Sequence, residues 1–180
     1  MNKSKALSEV ISTLILLVVA VLLATVATYY ATNITMTRTQ MEEIQFSKEH
    51  IWVNSSGAVA AFKLQNLGGR DVLLDKITVR GVDEAWTDVF YYLVPMGTSI
   101  TADMNVTNPN SLVNGVTIGG IDYNQSTDDI PLQSGAELLI YVKNPDNVQM
   151  KDIGKSLSMS IYTSNANYIT ECNVESATTN

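Results

Sequence analysis

Between Val10 and Thr37 the chain carries no charged residue, and Val10 to Ala31 forms a nearly continuous apolar run of about 22 residues. As a helix that run is close to the length needed to cross the hydrocarbon core of a bilayer. It is too long for the apolar core of a cleavable secretory signal, about 7–15 residues. No Gly or Pro occurs before Gly57, so nothing breaks or kinks this part of the chain. After Tyr30 the pattern becomes one-sided: Tyr30, Ile34, Met41 and Ile44 recur at helical spacing, with Arg38, Gln40, Glu42 and Glu43 between them. The spacing predicts one helix over Leu7 to Gln45, roughly 60 Å long at 1.5 Å per residue. Lys3 and Lys5 precede the run, while Glu42 and Glu43 follow a lone Arg38. The positive-inside bias then places the N-terminus in the cytoplasm and the remainder outside.

Small residues mark one stripe of this helix: Ala20, Ala24, Ala27 and Ala31 stand at spacings of four, three and four. In an apolar medium such a stripe lets helix backbones approach closely, which supports self-association.

From Arg38 onward the sequence turns polar, and from His50 the apolar period changes to two. Ile51–Val53, a turn at Asn54–Gly57, and Ala58–Leu64 read as a hairpin. Further strands are predicted at Val72–Val79, Val89–Val94, Val116–Ile118, Leu138–Val142, Leu157–Thr163 and Tyr168–Cys172. Gln65–Gly69 and Asn165-Ala166-Asn167 supply turns. Seven or more short strands separated by turn signals predict an immunoglobulin-like β-sandwich ectodomain. The expected fold class is therefore α+β, a long N-terminal hydrophobic α-helix followed by an all-β sandwich. The expected boundaries are 1–6 for a leader, 7–46 for the helix and 47–180 for the sandwich.

No catalytic or cofactor constellation is legible, so an enzyme is not expected, no cofactor is called for, and a secreted hydrolase finds no support. The net charge is -7 and no stretch concentrates the eleven basic residues, so no nucleic-acid partner is expected. Cys172 and His50 are each the only residue of their kind, which excludes an intrachain disulfide and a Cys/His zinc site. Cys172 is expected half-buried in a C-terminal strand, and His50 at a helix-to-strand junction with no special role. Asp128-Asp129 and Asp83-Glu84 read as solvated loop acids. Asp103, Asp122 and Asp128 offer calcium only a weak set of ligands, with no Asp-x-Asp-x-Asp-Gly loop. Asn-x-Ser/Thr acceptor patterns stand at Asn33, Asn54, Asn105 and Asn124. The last three are expected in turns or loops on the exported side, where N-linked glycans can attach, and Asn33 packed on the helix and a poorer acceptor.

The stretch Lys5-Ala6-Leu7-Ser8-Glu9-Val10-Ile11, followed by Ser12-Thr13-Leu14-Ile15-Leu16-Leu17, resembles the N-terminus of archaeal type IV pilins, in the superfamily that includes the archaellins. Leu64–Gly69, Ile77–Gly81 and Ser160–Asn165 resemble their sandwich modules. The resemblance implies a class III signal peptide: a basic leader with Lys3 and Lys5, cut by a prepilin peptidase between Ala6 and Leu7. It implies a homo-oligomeric helical filament, raised from membrane lipid by an assembly ATPase and a membrane platform. The helix packing would then involve Ala20, Ala24, Ala27, Ala31 and Glu9, the last pairing with a neighbour's freed amine at Leu7. Bacterial type IV pilins carry their glutamate at the fifth mature position, which is Ile11 here, whereas Glu9 is at the third. The start also lacks the Gly-rich pattern of swimming filaments, which points to a non-motility pilus; adhesion is the default role of such pili, and twitching, DNA uptake and virus reception are the alternatives. The expected location is the cell membrane for the precursor and the cell surface for the filament. The alternative is a membrane-anchored surface binding module that keeps its leader.

Overall fold

The computed structural model describes residues 3–177, and the side chains from Leu7 onward. One long helix, α1 (Lys3–Gln40), is followed by eleven strands: β1 (Ile44–Asn54), β2 (Gly57–Asn66), β3 (Val72–Val79), β4 (Val82–Asp83), β5 (Val89–Leu93), β6 (Val116–Ile118), β7 (Ile121–Gln125), β8 (Ile130–Leu132), β9 (Glu137–Lys143), β10 (Ser156–Thr163) and β11 (Asn167–Ser176). The chain divides into two compact units, Met1–Gln40 and Met41–Asn180. A long apolar helix followed by a sandwich-like β domain is the expected fold class.

The helix stops five residues before the expected Gln45. Ile44 is buried and Phe46 packs beside it in the core, and Ile44–Ser47 pair with Asn66–Lys63 of β2. Burial and ladder hydrogen bonds at those positions outweigh the helical pattern of Met41 and Ile44, which is only a weak local prior. His50 accordingly lies inside β1 and not at a helix junction. The domain boundary falls at residue 41, earlier than the expected 47.

Two sheets face each other. One runs β1-β2-β9-β5-β7-β6, the other β4-β3-β10-β11 with β8 also on β3. β11 joins them: Asn167–Asn173 pair antiparallel with β10, while Val174–Ser176 pair parallel with Ile51–Val53 of β1. Phe62, Leu64, Leu138 and Ile140 of the first sheet meet Leu74, Ile77, Met159 and Ile161 of the second, all fully buried.

A bulge in β1 keeps this core in phase. Ser47 pairs with Lys63 and His50 with Ala61, so Lys48 and Glu49 together oppose Phe62. Lys48 adopts φ +58°, the left-handed conformation of a bulge residue. Before the bulge Ile44 and Phe46 point inward; after it the inward residues are Ile51 and Val53. His50 and Trp52 are thereby turned to the opposite face.

That opposite face is also covered. Residues from Val94 to Tyr123 lie over it and form a second apolar cluster, in which Leu112, Met104, Ile118 and Tyr123 meet Trp52, Val59, Phe90 and Tyr141. This explains why β2 and β9 are buried on both faces and why β9 reads as an unbroken apolar run. Polar fasteners hold the cover. Tyr141 Oη donates to Asn105 O (2.9 Å) and accepts from Asn105 N (3.0 Å). The buried pair Lys63–Glu137 (3.1 Å) also binds Ser99 Oγ and Ile100 N through Glu137. Lys143 Nζ donates to Leu112 O at 3.1 Å.

Candidate functional site

Most of the candidate residues read from the sequence lie on α1. Among the described residues it is the one helix long and apolar enough to cross a membrane, by length and composition. Its large side chains, from Leu7 through Val10, Leu14, Leu17, Leu22 and Val26 to Ile34, are exposed. Tyr29 and Tyr30 stand edge to face with ring centroids 6.1 Å apart. They lie near the end of the uncharged run, where amphipathic rings suit a membrane–water interface.

Ala20, Ala24, Ala27 and Ala31 all lie on α1, within an arc of about 60° at 100° per residue. Beside them runs a second stripe that the sequence reading missed: Thr25, Thr28, Thr32, Thr35 and Thr39. Each hydroxyl donates to the carbonyl four residues back, at 2.8–3.1 Å. Ser12, Thr13 and Thr37 do the same within one turn. A hydroxyl satisfied inside its own helix needs no water, so its methyl group can face an apolar partner. The spacing of four and three was visible in the sequence; the hydrogen bonds were not.

The expected cleavage point between Ala6 and Leu7 lies within the backbone of α1. The side chains of Lys3, Lys5 and Ala6 lie outside the described residues. Glu9 is exposed in the first turns of α1.

The domain begins with an anchored linker, Met41–Glu43. Glu43 O accepts from Leu67 N (2.8 Å) and Gly68 N (3.2 Å), and Met41 O accepts from Gly69 N (3.0 Å). A Cβ on Gly68 would stand 2.5 Å from Met41 O and 2.8 Å from Glu43 N, so only glycine allows this approach. Asn66 sets the turn: its fully buried amide donates to Arg70 O and Leu132 O and accepts from Gly68 N at 3.0 Å. From the other sheet, Thr163 Oγ1 donates to Glu42, and Asn165 Nδ2 donates to Glu42 Oε2 at 3.1 Å. Leu64–Gly69 and Ser160–Asn165, two stretches that stood out in the sequence, thus converge on the same three residues. Glu42 and Glu43, expected on a helix face, are instead held in this clamp.

The remaining candidates are spread over the domain. Asn54 ends β1, where its Oδ1 accepts from Ser56 N in the hairpin turn. Asn105 is exposed on the cover segment, its amide against Gly119. Asn124 sits in β7, paired with Tyr91, and not in a loop as expected. Asn33 is exposed on α1. His50, expected to have no role, stacks on Trp52 (4.9 Å, 10°) with Nε2 3.1 Å from Asp103 Oδ1 and Nδ1 3.5 Å from Glu175 Oε2. The Met104 backbone N–H and His50 hold the Asp103 carboxyl below its usual range. Cys172 is half-buried in β11 as expected, and burial, with Glu175 nearby, pushes its thiol up to about 11. Among the described residues no three His, Cys, Asp or Glu side chains are grouped to hold a metal ion.

No protein-family model matches the chain, and no curated protein matches it.

Proposed function

We propose that this chain is a structural subunit of the archaeal type IV pilin kind, polymerising through α1 into an extracellular, adhesive filament. The observation that carries the reading is the pairing of two opposites in one chain. An all-round apolar, back-bonded helix exposes its side chains, and it is followed by a β domain whose core closes without it. The helix rests in lipid first and against other copies of itself afterwards. Lipid is as apolar as leucine, so association depends on close packing and not on a hydrophobic gain. The alanine stripe supplies the close approach and the threonine stripe the methyl surface beside it.

Intact mass and N-terminal sequencing of cell-surface protein test this reading. A start at Leu7, with filaments in negatively stained micrographs, is the expected result; a retained Lys3–Ala6 overturns it. One observation favours the alternative of an uncleaved signal anchor on a surface module: α1 runs unbroken through Ala6–Leu7 from Lys3, whereas proteolysis is commonest at exposed loops.

A further inference from the structure

An open cleft of about 350 Å³ is lined by Arg80, Asn147, Gln149 and Lys151. It lies wholly within the β domain and owes nothing to α1. We propose that this cleft binds a small oxyanion-bearing ligand, a carboxylate or sulfate carried on a hydroxyl-rich molecule such as an acidic sugar.

The charge is the first argument. Arg80 and Lys151 line the cleft, and Lys155 lies behind it on Asp152. Fully buried Asp152 pairs with Lys155 (2.8 Å) and Arg80 (3.3 Å) and also accepts from Gln149 N at 3.1 Å. Of the four lining residues two are cations, Arg80 and Lys151, and none is an acid, in a chain of net charge -7. Asp146 is the next acid along the chain. Its backbone N–H binds Glu84, whose own carboxyl is pushed up to about 7 by burial and by neighbouring Asp146, Asp88 and Asp83. Glu84 therefore adds less than a full opposing charge at neutral pH.

Arg80 itself is the second argument. Val79 pairs with Val82, so Arg80 and Gly81 form a two-residue hairpin turn, both with positive φ (+53° and +76°). Such turns favour Asn, Asp or Gly at the first position, and an arginine there is the costlier choice. Strain of this kind clusters where a side chain is used. The turn, with the bond from Arg80 Nη1 to Asn147 O (2.9 Å) and the Asp152 contact, fixes a guanidinium that remains 40% exposed. A fixed guanidinium fork matches an oxyanion bidentately. Asn147 and Gln149 are exposed beside it, and their amides suit hydroxyl groups. Asn147 is also at positive φ (+66°).

Calorimetric titration of the full chain in detergent micelles, with glucuronate, inorganic sulfate and glucose as probes, tests the proposal. Saturable binding of glucuronate and sulfate, with glucose inert, is expected; tighter glucuronate than sulfate would mark a sugar-borne group, and parity a free oxyanion. Arg80→Asn suits the same turn and should weaken binding at least about tenfold, as loss of a bidentate charged contact does. Lys151→Gln, on an exposed side chain, should weaken it about threefold, and both effects should shrink as salt rises from about 0.05 to 0.5 M. Absence of saturable binding, glucose binding as well as glucuronate, or both variants binding as the parent does would overturn the proposal.

Discussion

The two parts of this molecule satisfy their polar groups by opposite means. In α1 every hydroxyl bond named above closes within about one turn, Thr25 to Val21 or Thr35 to Ala31. In the β domain many partners are remote in sequence, such as Glu42 with Thr163 and Trp52 with Glu175. The apolar side chains differ in the same way. The domain buries Phe62, Leu64 and Tyr141 completely, whereas α1 exposes Leu16, Leu23 and Val26. Local closure makes the helix independent of its surroundings for hydrogen bonds but dependent on them for apolar cover. Long-range closure gives the domain its own core.

The largest effect that could break this contrast comes from charging the helix. Leu16→Lys with Val19→Lys should cost about 5–7 kcal/mol of membrane insertion, at about 2.5–3.5 kcal/mol per central lysine. The chain should leave the membrane fraction while the urea midpoint of its β domain stays put. A domain that unfolds with the doubly charged helix would show that the two units are not separable.

Phe62→Ala is the converse. It should cost the domain about 3–5 kcal/mol, read as a lower urea midpoint, and leave membrane partition unchanged. Gly68→Ala should be smaller, about 1–3 kcal/mol, in the range of overpacked sites, because its Cβ meets the backbone of Met41 and Glu43. It sharpens the comparison by loosening only the linker: hydrogen exchange should rise at Leu67, Gly68 and Gly69 and not at the core strands. At the other end, Ala24→Leu should leave stability and insertion unchanged and lower filament yield; unchanged yield would count against packing through the alanine stripe.

The same contrast explains what could be read in advance. The helix was legible because its determinants are local: no Gly, no Pro and no charge over the run. β3 was legible to the residue, Val72–Val79, because it alternates and is bounded by turns. β1 was not, since Ile44–Glu49 is a strand only by virtue of β2, and the bulge at Lys48 breaks the alternation that would have revealed it. β7 and β8 are short, and Pro131 in β8 is tolerated because among the described residues that strand pairs with β3 alone. The turns at Leu64–Gly69 and Ser160–Asn165 were legible as turns. That both grip Met41–Glu43 depends on contacts more than twenty residues apart, which no local pattern encodes. The arginine cleft was invisible for the same reason: it draws on Arg80 and on Lys151, far apart in the chain.

The smallest predicted effect concerns pH and belongs to the domain alone. Burial, with Asp146, Asp88 and Asp83 adding to it, pushes the Glu84 carboxyl from 4.5 up to about 7. The folded state therefore holds a proton that the unfolded chain has released between about pH 4.5 and 7. Stability consequently falls as pH rises through that window and is level above it. Partial exposure of Glu84 screens the effect, leaving about 1–2 kcal/mol. Glu84→Gln keeps a carbonyl to accept from Asp146 N and removes the titration. It should raise the urea midpoint at pH 8 by that amount, leave it nearly unchanged at pH 4, and flatten the slope between. Because α1 is uncharged from Val10 to Thr37, membrane partition should show no matching change across this window; a parallel change would tie the two units together after all.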